Sequence, residues 1–334
     1  MKSIDIAIAG FGGIGRHVAR LLHDRQARYR DRFGTKVRIT GVCGSSAGLC
    51  DAQGLDPARL ADAGGFTPGL TGEAFMAAVR ADVLFEASPT NFRTGGAARG
   101  YITAALDRGL HVVAISKGAL ALDYAGLHNQ ALRQGVELKI SGATSSALPT
   151  IDLLQYNFAG CEILSVEAIL TGTTNVVLSQ MADQQCSFED ALAEAQRLGI
   201  AESDPSLDVD GWDTACKLTI LANAAFGAGI DVQAMPREGI GQLGAADVRA
   251  WRARGLMPRL VGCIDRADGQ TRASVVLRLY ADGHPFARVH GRTKAIHVVT
   301  DLMGEFTVSG GGSNPVGTAA AALKDFEHIL AGLR

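Results

Sequence analysis

Residues 4–15, I-D-I-A-I-A-G-F-G-G-I-G, decide the fold of this chain. Isoleucines at 4, 6 and 8 alternate as in a strand, and the run passes straight into Gly10-Phe11-Gly12-Gly13-Ile14-Gly15. After it, R-H-V-A-R-L-L-H-D-R has the apolar period of a helix. Strand, glycine turn and helix in that order aim the N–H groups of a helix start at an anion. Gly10 permits the tight turn, Gly12 lets backbone approach a pyrophosphate, and Gly15 lets the helix pack closely. G-x-G-x-x-G alone is a weak signal that a structural glycine turn also satisfies. Its two flanks make it a dinucleotide motif, with Gly10, Phe11, Gly12, Gly13, Ile14 and Gly15 as candidate cofactor residues.

Outward from this motif, Val37–Val42 is the second strand and ends in C-G-S-S-A. An NAD site would place an acid there and a typical NADP site an arginine. Neither is present. Ser45 and Ser46 offer hydroxyls to a 2'-phosphate that no carboxylate repels, so the expectation is NADP, with NAD possible. Residues 51–72 read as loop with one short helix. Further strands are expected at Ala81–Ala87, Leu110–Ser116 and Val136–Ile140, with helices over Gly96–Arg108 and Leu127–Gly135. Ser88 and Pro89, and then Lys117, fall at carboxyl ends of strands, where ligands of doubly wound sheets bind. The fold class expected is α/β: a Rossmann-type doubly wound parallel sheet over residues 1–140, completed by a C-terminal helix at 315–334, plus a second α+β domain at 141–314.

In the second domain, a helix at Ile151–Phe158 and a strand at Ile163–Leu170 lead into T-G-T-T-N at 171–175, which reads as a pocket, as a helix cap, or as both. Ser187 with Asp190 resembles a capping box for a helix to Leu198. Then comes E-S-D-P-S-L-D-V-D-G-W-D-T-A-C-K, residues 202–217. Pro205 and Gly211 break its first half into loop, and Asp213 onward reads as a helix that is almost wholly apolar after Lys217. Asp213 and Lys217 are i,i+4 neighbours. Such a pair is either a solvated ion pair or a held, charged lysine near a pocket, and the apolar company favours the second. Strands at 257–264, 272–280 and 295–300 suffice for a mostly antiparallel sheet, which often carries a dimer interface. The loop at 310–314 opens a helix over Thr318–Leu330.

Composition narrows the partners. A chain of 334 residues with 47% apolar and 20% charged residues is long enough for two cored domains. A net charge of −2 makes no electrostatic case for nucleic acid or an anionic membrane, so small molecules are expected. The start, M-K-S-I-D-I-A-I-A-G, lacks a signal peptide's apolar core, and no run approaches the roughly 20 residues of a membrane helix. Six cysteines without C-x-x-C spacing read as reduced thiols in the cytoplasm, and eight histidines without paired spacing suggest no metal.

Residues 201–218, preceded by T-G-T-T-N, resemble the signature region of homoserine dehydrogenases, in the short form without a C-terminal regulatory domain. The resemblance extends over nearly the whole chain. It implies reversible, NAD(P)-linked interconversion of L-homoserine and L-aspartate 4-semialdehyde. Carried over by position, Lys117 and Lys217 hold or protonate the substrate oxygen, and Asp213 orients Lys217. Glu202 and Asp208 take the substrate ammonium, while Gly172 and Thr173 shape the pocket. A homodimer is implied, and cooperative feedback by threonine is not expected. The chain departs from the family at Ser116, where asparagine is usual, at Ser141 in place of an acid, at Ser145, Ser146 and Ala147 in place of glycines, and at 310–314, which lacks a proline. Two alternatives stand beside this reading: a related oxidoreductase acting on another small amino acid or aldehyde, and a non-catalytic dinucleotide-binding protein. The Lys217 cluster argues against the latter, since a pure binder has no use for a proton relay.

Overall fold

Lys2–Ala9 forms β1, and Ile6, Ala7, Ile8 and Ala9 are all at 0% exposure. Burial on both faces is the mark of a parallel strand with helices above and below. The computed structural model describes residues 2–333 apart from 268 and 313, and it divides into two compact units, 1–147 with 314–334, and 148–313.

In the first unit β1 is followed by α1 (Gly13–Asp24), α2 (Gln26–Phe33), β2 (Thr35–Cys43), β3 (Ala47–Cys50), α3 (Pro57–Ala61), β4 (Thr67–Pro68) and α4 (Gly72–Ala78). Then come β5 (Val83–Glu86), α5 (Gly96–Asp107), β6 (His111–Ala114), α6 (Gly118–Gln134), β7 (Leu138–Lys139) and α7 (Ser141–Ser145). The sheet order is β4-β3-β2-β1-β5-β6-β7. From β2 to β7 the neighbours run parallel, while β3 and β4 add an antiparallel edge. The chain moves outward from β1 to β2 and later returns to lay β5 on the other side of β1. The carboxyl ends of β1 and β5 therefore flank the switch point where such sheets bind ligands.

Two local readings change. β3 was not expected, because A-G-L-C has no alternation; it forms by pairing with the open edge of β2 at Gly41–Cys43. The helix expected from Leu127 starts at Gly118, and a non-helical Asp123 (φ −154°, ψ 52°) breaks its period midway.

The helix Pro315–Gly332 belongs to this unit's core. Asn314 caps it by accepting from Gly317 N at 2.7 Å; Ser313, in the expected glycine-rich loop, lies outside the described residues. Its Phe326 sits edge-on to Tyr29 and against Phe85, with centroids at 5.6 and 5.7 Å. Glu327 accepts from Arg28 Nε and Nη2 at 2.6 and 2.7 Å. Asp325, 1% exposed, accepts from Ser141 N and Oγ at 2.8 and 2.7 Å, so the serine standing in place of the family's acid is itself bonded to one. Nearby, Ser146 keeps φ +56°, a conformation that favours glycine.

The second unit comprises α8 (Thr150–Asp152) running into a π-helical turn, β8 (Ile163–Ile169), α9 (Gly172–Gln184), α10 (Phe188–Arg197), α11 (Ser206–Val209), α12 (Trp212–Phe226) and α13 (Ala245–Ala253). It ends with β9 (Leu256–Ala267), β10 (Gln270–Ala281), β11 (Lys294–Thr300) and β12 (Glu305–Gly310). The sheet order is β10-β9-β8-β11-β12, antiparallel throughout. A Cβ at Gly262 would lie 2.9 Å from Leu218 Cδ1, so α12 packs on β9 where there is no side chain. Residues 206–209, read as loop, form α11, because Pro205 carries no N–H and suits the start of a helical turn. Gly211 then separates α11 from α12 with φ +78°, and a Cβ there would meet Glu238 O at 2.5 Å.

Candidate active site

The first unit supplies a phosphate cradle. A Cβ at Gly10 (φ +91°) would sit 2.2 Å from the Ala87 carbonyl carbon, and one at Gly15 would sit 2.3 Å from Gly10 O. Both positions require glycine. Gly12 and Gly13 have nothing within 4 Å of an added Cβ, so their backbone is open to a ligand. α1 starts with no side-chain cap and no acid in its first turn, leaving its first N–H groups for an anion. The residues present therefore fit a dinucleotide pyrophosphate. Gly10 N and Phe11 N both donate to Cys43 O at 2.9 Å, docking the glycine turn on the end of β2. Phe11 is 6% exposed with its ring 5.9 Å from Phe66, and Ile14 packs against the core. Ser45 and Ser46 are exposed in the turn from β2 to β3.

The ends of β5 and β6 meet through a residue the sequence reading passed over. Glu86, fully buried, accepts from Ser88 N at 2.8 Å and from the hydroxyls of both Ser88 and Ser116. Burial pushes its carboxyl above the ordinary range, against the pull of the serine donors. An acid inside the apolar run V-L-F-E-A was the available signal. Pro89 is exposed beside it, and Lys117 N donates to Thr90 Oγ1 at 3.3 Å. The Lys117 ammonium lies 5.7 Å from the centroid of the Phe92 ring. A Cβ at Gly118 would meet Asn91 O at 2.1 Å, so the two strand ends close on each other only through a glycine.

In the second unit the pair expected from i,i+4 spacing is buried. Lys217 Nζ lies 2.5 Å from Asp213 Oδ2 and donates to Leu170 O at 2.8 Å, with Asp213 and Lys217 at 7% and 8% exposure. Asp213 Oδ2 also accepts from Thr171 Oγ1 at 2.8 Å, and the hydroxyls of Thr171 and Thr214 are 2.9 Å apart. Thr171 is the N-cap residue of α9, yet its hydroxyl makes no capping bond. The side chain ties the end of β8 to α12 instead of capping α9. That leaves the start of α9, at Gly172 and Thr173, without a side-chain cap. Thr173 is buried, with Oγ1 3.4 Å from Ile200 O. Glu202 is exposed and Asp208 half-buried.

The loop facing Gly172 is fixed by residues that sequence reasoning missed. Arg259 is at 0% exposure, and its guanidinium donates to the carbonyls of Phe286, Ala287 and Val289 at 2.9–3.1 Å. Burial lowers its pKa to about 10, against the opposing pull of the Asp183 charge. Asn175 Nδ2 donates to Val289 O and Gly291 O at 3.1 and 2.9 Å. Arg292, which follows, donates to Gly199 O at 2.9 Å and has its Cα 3.4 Å from the Cβ position of Gly172. A lone arginine in the apolar run M-P-R-L-V-G-C-I was the only hint.

Comparison with known proteins agrees with this geometry. Residues 10–140 match the family model described as homoserine dehydrogenase, NAD binding domain, and residues 149–326 match that described as homoserine dehydrogenase. The chain is 36% identical to an NAD(+)-dependent homoserine dehydrogenase of Pseudomonas canavaninivorans, over 98% of this chain and 97% of that one. It is 33% identical to a homoserine dehydrogenase of Methanocaldococcus jannaschii, over 98% of each. The crystal structure of a putative homoserine dehydrogenase from Archaeoglobus fulgidus superposes with a TM-score of 0.89 at 33% identity, covering 98% of this chain and 99% of that one. With a dinucleotide cradle on one unit, a buried lysine and carboxylate on the other, and matches along its whole length, the chain belongs to the homoserine dehydrogenase family.

Proposed function

We infer that this chain interconverts L-homoserine and L-aspartate 4-semialdehyde, with Lys217 serving the substrate oxygen. The observation that carries the reading is the Lys217 ammonium, buried and held by Asp213 and the Leu170 carbonyl beside the uncapped start of α9. Burying a charged pair is a poor way to gain stability, which makes a chemical use the better account of it. A bound nicotinamide dinucleotide supplies the hydride chemistry at the carbon bearing the oxygen. In the reducing direction the Lys217 ammonium donates a proton to the aldehyde oxygen as it becomes a hydroxyl. In the oxidising direction the same proton returns to the lysine amine. Asp213 orients Lys217 and favours its charged form. Lys117 holds the substrate oxygen, Glu202 and Asp208 take the substrate ammonium, and the N–H groups at Gly172 and Thr173 suit the carboxylate. An assay of nicotinamide reduction with L-homoserine beside L-threonine, L-serine and L-aspartate tests the reading, which fails if homoserine is not the preferred substrate.

The cofactor expected is NADP, with a modest preference over NAD, because exposed Ser45 and Ser46 end β2 where no carboxylate repels a 2'-phosphate. Kinetics with both dinucleotides decide it, and a preference for NAD of about tenfold, roughly 1.4 kcal/mol, would sink it. All six cysteines are free, which supports a reducing cytoplasm. None of the helices, among the described residues, is long and apolar enough to cross a membrane. The homodimer is assigned to the five-stranded sheet of the second unit, where Leu164, Leu279 and Phe306 are exposed; sedimentation velocity at micromolar concentration checks it.

A further inference from the structure

We propose that the first unit carries a second small-molecule site, outside the dinucleotide crevice, for an anion with an apolar body such as an aromatic phosphate or carboxylate. A doubly wound sheet ordinarily covers both faces of its parallel strands with crossover helices. Here β2 turns back directly into antiparallel β3, and the crossover to β5 carries only the short helices α3 and α4. The short α3 and the segment 53–56 lie beside α1 along Val37 and Ile39, and a cavity of 610 Å³ is left there. That is the size of a small-ligand pocket.

The lining has the chemistry of a site. Ala19, Val37, Ile39, Leu55 and Leu60, all buried, form an apolar floor. Arg16, Arg20 and His23, on one face of α1, and Lys36 of β2 stand on the rim. None of these four has an acidic partner among the described residues. The contrast with their neighbours is informative. Arg38 is neutralised by two bonds to Asp5 at 2.7 and 2.8 Å, and Asp56 is engaged in capping α3. Asp24 remains as the rim's opposing charge, outnumbered by the basic groups. An apolar floor under the charged Arg16, Arg20 and Lys36 selects an anion with a hydrophobic body. The Arg16 guanidinium also lies 4.8 Å from the centre of the Phe11 ring, so the site adjoins the glycine turn. The inference rests on the cavity and stands apart from the role given to Lys217.

The test is calorimetric titration of the full chain with 1-naphthyl phosphate, with NADP+ and NAD+ both saturating so that the crevice is filled. One saturable site is expected. Arg20→Ala with Lys36→Ala should weaken the probe by at least about tenfold, the worth of one charge-assisted hydrogen bond, and leave dinucleotide affinity within about twofold. Leu60→Trp, confirmed folded by a thermal melt, should abolish probe binding by filling the floor. No saturable heat at millimolar probe, or an unchanged affinity in the double variant, would overturn the proposal. Competitive loss of the probe's site on adding dinucleotide would overturn it too, since the cavity would then belong to the cofactor.

Discussion

Asp213 and Glu86 are both buried carboxylates beside candidate site residues, but they are satisfied in opposite ways. Asp213 faces an ammonium at 2.5 Å and a threonine hydroxyl at 2.8 Å. Glu86 receives only the hydroxyls and backbone N–H groups of Ser88 and Ser116, and no cation pairs with it among the described residues. A carboxylate facing a lysine stabilises a charge that can be moved as a proton. One ringed by neutral donors pins those donors in place, and here it pins Ser88 and Ser116 on either side of the strand ends that carry Pro89 and Lys117. The first arrangement suits a proton-transfer role and the second a positioning one.

The largest expected effect separates the two. Lys217→Ala should lower turnover by about 10² to 10⁴, the usual worth of general acid-base assistance, with dinucleotide affinity unchanged. Because the pair is buried, removing the lysine also strands Asp213 and should destabilise the fold by about 3–5 kcal/mol, not the few tenths of an exposed pair. Steady-state kinetics well below the melting temperature, with thermal melts alongside, read both quantities. Turnover within about threefold of the parent would leave Lys117 as the sole proton candidate.

Asp213→Asn should follow in the same direction with a smaller loss. The ammonium keeps the Leu170 carbonyl but loses the charge that orients it and favours its protonated form. A loss in turnover as large as that of Lys217→Ala would mean that Asp213 itself handles the proton.

Glu86→Ala should act mainly on stability. Leaving the buried Ser88 and Ser116 hydroxyls without their acceptor costs about 1–3 kcal/mol, and turnover should fall less than in either variant above. If Glu86→Ala stays folded and loses as much turnover as Lys217→Ala, the division between chemistry and positioning collapses.

The smallest effect is a pH trend. Burial raises the folded pKa of Glu86 above its unfolded value, so its contribution to stability is full below the unfolded pKa and declines as pH rises through the folded one. Glu86→Gln has no such decline. The melting temperature of the variant minus that of the parent should therefore increase from about pH 4 to about pH 8. A flat or falling difference would mean that the serine donors hold the carboxylate ionised, making it more like Asp213 than the comparison allows.

The parts legible in the sequence are those whose physics is local. The glycine turn could be read because Gly15 meets the backbone of Gly10 five residues earlier, and because a helix start needs no distant partner to present its N–H groups. The i,i+4 relation of Asp213 and Lys217 follows from helical pitch alone. Periodicity located most strands and helices, and it failed where apolar repetition is weak, as at β3, α13 and β12. Burial and long-range partners were decided only in three dimensions. Thr171 reads as a helix cap until folding brings Asp213 and Thr214 to its hydroxyl from α12. Glu86 is one more strand residue until Ser116 arrives from just beyond β6. Arg259 looks misplaced in an apolar strand until a distant turn surrounds it with carbonyls. In each case the side chain is defined by a partner far along the chain, and whether a charge is solvated or buried depends on everything packed around it.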